Sequence, residues 1–123
     1  MRKLETTLVA LLLSSAASFS WAECDRPERP AVPNGSEATM DDMVAGQTAV
    51  KAYVADGDAY IKCLEAEENS AMSDVDSSDE NAVAAAEAAN AERIKTHNEV
   101  VDEMTTVAGE WKESMTAFKS KDS

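Results

Sequence analysis

The chain has 123 residues, of which 24 are acidic and 11 are basic, so its net charge is −13. This length suits a single domain. So acidic a surface repels nucleic-acid phosphates and anionic membranes, which excludes both as general partners and favours cations or basic proteins.

The first 22 residues have the three parts of a secretory signal peptide. Two basic residues at positions 2 and 3 precede the apolar run Leu8–Leu13, and Ser20 and Ala22 are the small residues of a cleavage site. The run is too short to span a bilayer, so we expect no membrane insertion after cleavage and a periplasmic or secreted protein. Removing Arg2, Lys3 and Glu5 with this segment leaves 9 basic and 23 acidic residues, a net charge of −14.

A proline-rich extended arm is predicted over residues 23–38. Pro27, Pro30 and Pro33 recur at every third position, which is the repeat of a polyproline II helix, so their rings share one side. Asn34-Gly35 then predicts a turn.

Cys24 and Cys63 are the two cysteines, and in an exported domain they predict one intramolecular disulfide. The arm can extend to about 50 Å, which exceeds the roughly 36 Å of helical path from Thr39 to Cys63. An arm that turns at Asn34 can therefore run back along the first helix and bring the two cysteines together.

The first helix, α1, is predicted over about residues 40–68, after a capping box of Thr39 and Asp42. One face is expected to meet a second helix, and it contains Met43, Gln47, Val50, Val54, Ile61 and Leu64. A second face, a quarter-turn away, contains Tyr53 and Tyr60 with Ala49 and Cys63. We expect the proline rings to pack on these tyrosines.

An acidic loop is predicted over residues 69–78, and a second capping box, Ser77-x-x-Glu80, is expected to start helix α2 at about residue 79 and continue it to about residue 119. Two rows at seven-residue spacing predict a coiled-coil seam on this helix. One row contains Val83, Asn90, His97, Met104, Trp111 and Phe118, and the other contains Glu87, Ile94, Val101, Ala108 and Met115.

The predicted fold is all-α: a two-helix antiparallel, coiled-coil-like hairpin over residues 39–123, with the polyproline arm pinned to α1 by the disulfide. This pairing places Leu64 near Val83 and the start of α1 near residue 106. The end of α2 then projects beyond its partner as an apolar patch. Its predicted partner-binding residues are Met104, Trp111, Met115 and Phe118.

The motif CDRP-x-x-P-x-x-P-x-G from Cys24 to Gly35, with a second cysteine in Y-x-x-CLE from Tyr60 to Glu65, resembles a group of small exported proteins of Gram-negative bacteria without an assigned activity. The resemblance covers residues 24–67 well and 97–108 loosely. It implies export and a disulfide, and it transfers no catalytic residues.

Other candidate sites have simpler explanations. His97 is the single histidine, and we expect it to set the helix register rather than to act as a metal ligand or a pH switch. One histidine makes a weak zinc site, because zinc requires three or four nitrogen or sulfur ligands. The methionines could suggest copper, but most fall at apolar helix positions. Carboxylates that could attract a cation weakly are Asp74, Asp76, Asp79 and Glu80, although Asp79 stands where a calcium loop needs glycine.

We expect no enzyme and no cofactor, because the chain has neither a G-x-S-x-G motif nor a glycine-rich phosphate loop. The leading hypothesis is a non-enzymatic exported interaction protein. It would form a homo-oligomer, or bind an envelope protein partner, through the apolar end of α2. The alternative is an acidic protein of the periplasm that binds or buffers cations with its loop.

Overall fold

The computed structural model describes residues 24–121 and contains two helices in this range, α1 (Met40–Ser73) and α2 (Glu80–Ser120), which pack against each other. Residues 24–39 form the extended arm and its turn. The predicted all-α hairpin with a disulfide-linked arm is therefore confirmed. The predicted signal peptide, residues 1–22, lies outside the described residues.

Helix α1 begins at the predicted capping box. The Asp42 backbone N–H donates to the Thr39 hydroxyl at 3.2 Å, and the Thr39 N–H donates to the Asp42 carboxylate at 2.9 Å. The helix continues five residues beyond the predicted end at residue 68, because the glutamates and alanines of residues 65–72 are good helix formers.

The loop between the helices is short, residues 74–79. Helix α2 starts after Asp79 rather than after Ser77, so the predicted capping box at Ser77 is wrong. The Asp79 carboxylate accepts hydrogen bonds from the backbone N–H groups of Asn81 and Ala82, both at 3.1 Å. An aspartate in this position both satisfies the unpaired N–H groups of the first turn and complements the helix dipole.

The hydrophobic core is a seam between the helices with two clusters. Val50, Tyr53 and Val107 form one, and Tyr60, Leu64 and Val100 form the other, with Met104 packed against both. Val100 and Val107 are 1% and 0% exposed, so they are the centre of the seam on α2. Both predicted faces of α1 contribute to these clusters, so the tyrosines belong to the interhelical core.

One of the two predicted seam rows on α2 is wrong. Ile94 and Val101 are 51% and 39% exposed, whereas the row one position earlier along the helix holds the buried Val100, Val107 and Ser114. The row that begins at Val83 is correct for Met104 and Trp111, which pack against the core. A shift of one residue turns a helix face by about 100°, so periodicity alone did not select the right row.

The pairing register also differs from the prediction. Leu64 shares a groove with Arg93, Ile94 and His97 rather than lying near Val83. At the other end, the Lys121 ammonium donates to the carbonyl of Ala38. Because α1 is longer and the loop shorter than predicted, the two helices end together, and α2 does not project beyond α1.

Neither helix within residues 24–121 has an apolar stretch long enough to cross a membrane.

Candidate interaction surface

The arm is held at its first residue by the predicted disulfide. Cys24 and Cys63 are bonded with their Cα atoms 5.7 Å apart, across a sequence separation of 39 residues. Cys24 packs against the cluster of Tyr60, Leu64 and Val100, so the bond lies at the edge of the core. Both cysteine sulfurs lie close to a Glu67 carboxylate, but in the disulfide they offer no thiolate to a metal.

The predicted arm-packing residues come together in part: Pro27 is grouped with Tyr60, whereas the arm residue packed against the cluster that contains Tyr53 is Val32. Pro27 borders a groove with Tyr60, and Pro30 and Pro33 border another with Ala45, Gly46 and Ala49. A Cβ atom placed on Gly46 would lie only 2.8 Å from Pro33 and 3.0 Å from Trp111, so the arm, α1 and α2 meet at this glycine. The arm therefore fills one of the two grooves between the helices.

Polar contacts attach the arm to α2. The Arg26 guanidinium lies 3.6 Å from the Glu99 carboxylate and 3.4 Å from that of Glu103, and Arg29 pairs with Glu110. Sequence reasoning missed these pairs. The two arginines are three residues apart, as the prolines are, which places them on one side of a polyproline II helix and could have indicated a shared partner surface.

Two buried hydroxyl groups complete the attachment. The Ser114 hydroxyl donates to the carbonyl of Pro33 at 2.5 Å. The Tyr53 hydroxyl donates to Glu103 at 2.6 Å, and burial together with this hydrogen bond raises the pKa of Tyr53 to about 12. Tyr53 is 3% exposed, so its ring is core while its hydroxyl reaches the ion pair between the arm and α2.

The arm's turn closes against the end of α2. The Asn34 carbonyl accepts hydrogen bonds from the backbone N–H groups of Glu37 and Ala38 at 3.0 and 2.9 Å. Gly35 is buried, and any Cβ at this position would overlap the backbone carbonyl of Ser114. The predicted turn thus positions the start of α1 beside the end of α2.

An apolar surface lies at this end of the hairpin, on the side away from the arm. We call it the end surface, and its apolar residues are Met40, Met43, Val44, Trp111, Met115 and Phe118. Met40 and Val44 are 62% and 56% exposed, which is unusual for large apolar side chains in this protein. Gln47 and Lys119 border it.

The end surface contains three of the four predicted partner-binding residues, Trp111, Met115 and Phe118. Met104 lies outside the end surface, because it packs against both core clusters and its sulfur lies beside Gly57. Sequence reasoning missed Val44, although its spacing of four residues from Met40 places both on one side of α1.

Two of the predicted cation-binding carboxylates, those of Asp76 and Asp79, accept hydrogen bonds within the chain. Asp76 accepts hydrogen bonds from the Ser78 hydroxyl at 2.6 Å and the Ser78 backbone N–H at 2.9 Å, which lower the pKa of Asp76. Asp79 is the N-cap of α2, and Asp74 is the C-cap of α1. Glu80 is exposed in the first turn of α2. The carboxylates of Asp76 and Asp79 therefore act in the turn and the helix start, whereas Asp74 caps α1 through its backbone N–H.

His97 is half-buried on α2, and its Nδ1 atom lies 3.4 Å from the Asn98 side-chain oxygen. It borders a shallow groove with Leu64, Glu65, Glu68 and Ile94, on the same side of the hairpin as the end surface.

No family model, curated protein or solved structure matches this chain. The likeness to exported proteins given by the cysteine and proline motifs stays a prediction.

Proposed function

We propose that this is a non-enzymatic exported interaction protein that binds an envelope protein, or a second copy of itself, through the end surface. The observation that carries this proposal is the exposure of Met40 and Val44 beside Trp111, Met115 and Phe118. An apolar groove at the surface of an otherwise acidic protein commonly marks an interaction site.

The construction of the hairpin supports a binding role for this surface. The disulfide, the arm and the turn at Gly35 hold the start of α1 against the end of α2, so the end surface is formed before a partner arrives. A preformed surface loses little conformational entropy on binding, which favours affinity.

Export is part of the proposal. A structural disulfide is common in exported proteins and rare in reducing compartments, and the predicted signal peptide agrees with this expectation.

The test uses the oxidised protein without its predicted signal peptide, residues 23–123, as bait in an envelope extract. Val44→Glu is the disabling variant, because this exposed side chain can change without disturbing the core. Ala52→Glu, which is exposed elsewhere on α1, is the matched control for added charge. A near-stoichiometric partner retained by the control and lost with Val44→Glu would support the proposal. Equal capture by all three proteins would refute it.

A further inference from the structure

The end surface and the groove beside His97 lie on the same side of the hairpin, opposite the arm. On α1 the arm borders Ala45 and Ala49, and Val44 and Val54 are each turned about 140° from Ala49. On α2 the arm pairs with Glu103 and Glu110, and Val101 and Ile94 are turned about 160° to 180° from these glutamates. We call this side the open face.

The open face alternates apolar and polar side chains. Its polar residues on α1 are Gln47, Lys51, Asp58 and Glu65, and its apolar residues are Met40, Val44, Val54, Ile94, Val101 and Met115. It is about 40 Å long, from Met40 to Glu68, and about 20 Å wide, since two helices lie side by side. This footprint is about 800 Å², which is the area that each partner buries in a stable protein–protein interface. The surface is therefore large enough for a second two-helix hairpin.

The charges on this face differ between its two ends. Lys51 and Lys112 lie toward the end surface, whereas Glu65, Glu68 and Glu87 lie toward the loop and outnumber Lys62 there. Arg93 also borders the loop half, where it pairs with Glu67 at 3.9 Å. Because the chain has more than twice as many acidic as basic residues, the pair of lysines Lys51 and Lys112 at one end of this face stands out from the acidic surface. The charges of such a face are complementary to those of the same face on a second chain that runs in the antiparallel direction.

We infer that two copies of this chain pack through their open faces as an antiparallel four-helix bundle. This inference rests on the proposed function and specifies its partner. A two-fold axis beside Asp58 places Lys51 opposite Glu65 of the second copy and Val44 opposite Met72 of the second copy, because each pair is centred on residue 58. The alternative, a parallel dimer, brings like charges together at both ends, which is unfavourable.

On α2 the same axis passes near Val101 and Met104, because Gly57 of α1 lies against Met104. Val101 then lies near Val101 of the second copy, and Ile94 lies near Ala108 and Met115 of the second copy. Side chains that are exposed in one hairpin become the centre of the bundle, packed as in other four-helix bundles. The same symmetry brings the two Asp58 carboxylates near each other, so Asp58→Asn is expected to strengthen the dimer.

The test is a charge swap measured by analytical ultracentrifugation of residues 23–123 at low salt, where surface charges are least screened. Lys51 and Glu65 are 14 residues apart, so about 21 Å of helix prevents their contact within one chain. Each dimer contains the pair twice, so Lys51→Glu alone and Glu65→Lys alone are each expected to raise the dimer dissociation constant about tenfold. The double variant is expected to restore it, because the charges exchange places.

A dimer that the single variants weaken and the double variant restores would support the antiparallel arrangement. A dimer without restoration would overturn that arrangement, and a monomer at several hundred micromolar would overturn the inference entirely. The proposed function fails separately, through equal capture of an envelope protein by Val44→Glu and its control. Circular dichroism of each variant checks that the exposed substitutions leave the helices intact.

Discussion

Three glycines inside the helices allow one substitution to be compared in three surroundings. Glycine to alanine in a helix interior stabilises it by about 1 kcal/mol where the new methyl group meets nothing. Gly109 is such a position, since a Cβ there has no neighbour within 4 Å. Gly109→Ala is therefore expected to raise the free energy of unfolding by about 1 kcal/mol, and the melting temperature by about 4 °C.

Gly46→Ala is expected to have the opposite effect. Its methyl group would lie 2.8 and 2.9 Å from two ring atoms of Pro33 and 3.0 Å from Trp111, and neither ring can turn aside as a flexible chain can. Overpacking of this kind costs about 1 to 3 kcal/mol, which cancels or exceeds the gain in helix propensity. Gly57→Ala should be intermediate, because the atoms it meets belong to the flexible Met104 side chain.

The assay is urea unfolding of the oxidised protein followed by circular dichroism at 222 nm. The difference between Gly46→Ala and Gly109→Ala cancels the propensity term and measures the steric cost, expected to be about 2 kcal/mol. Equal stability of these two variants would refute the packing of the arm between the helices.

Three further predictions concern the disulfide, Tyr53 and the loop. Replacing both cysteines, Cys24→Ser and Cys63→Ser, opens a loop of about 40 residues and should lower the free energy of unfolding by about 4 kcal/mol. The melting temperature should then fall by more than 10 °C, whereas a decrease under 3 °C would show that the bond does not hold a packed arm. The raised pKa of Tyr53 means that folding favours its neutral form, so the contribution of Tyr53 to stability should be constant below pH 10 and be lost as the pH rises toward 12. The resulting decrease in stability should be smaller in Tyr53→Phe, measured by urea unfolding at each pH. Asp79→Ala should lose about 1 kcal/mol as the N-cap of α2, whereas an equal loss in Ser77→Ala would contradict the observed start of that helix.

Much of the fold could be predicted from the sequence because the signals were local. Thr39 and Asp42 are three residues apart and mark the start of α1 by themselves. The prolines and Asn34-Gly35 define the arm and its turn, and two cysteines allow only one intramolecular bond. None of these features depends on how the helices pair.

The loop and the start of α2 were harder to place. Ser77 and Asp79 both precede residues that suit a helix, and each can serve as an N-cap. The Asp76 carboxylate accepts two hydrogen bonds from Ser78, which forms a turn there and leaves Asp79 as the cap. A competition between neighbouring polar side chains decided this boundary.

The tertiary structure decided which residues of α2 face α1. Val100 and Val101 are adjacent and equally apolar, yet one is 1% exposed and the other 39% exposed. The seven-residue repeat is satisfied by either row, so it determines the period of the seam and not its phase. The phase follows from contacts distant in sequence: Met104 beside Gly57, and Ser114 bonded to Pro33.

The same distinction applies to the candidate site. The sequence by itself determined that apolar residues gather near the end of α2, because Trp111, Met115 and Phe118 are close neighbours along one helix. Only the tertiary structure showed that Met40 and Val44 complete the end surface, and that the arm covers the opposite groove through Arg26 and Arg29. Spacing along a helix fixes which side chains share a face, whereas what lies against that face depends on the energy of the whole packed chain.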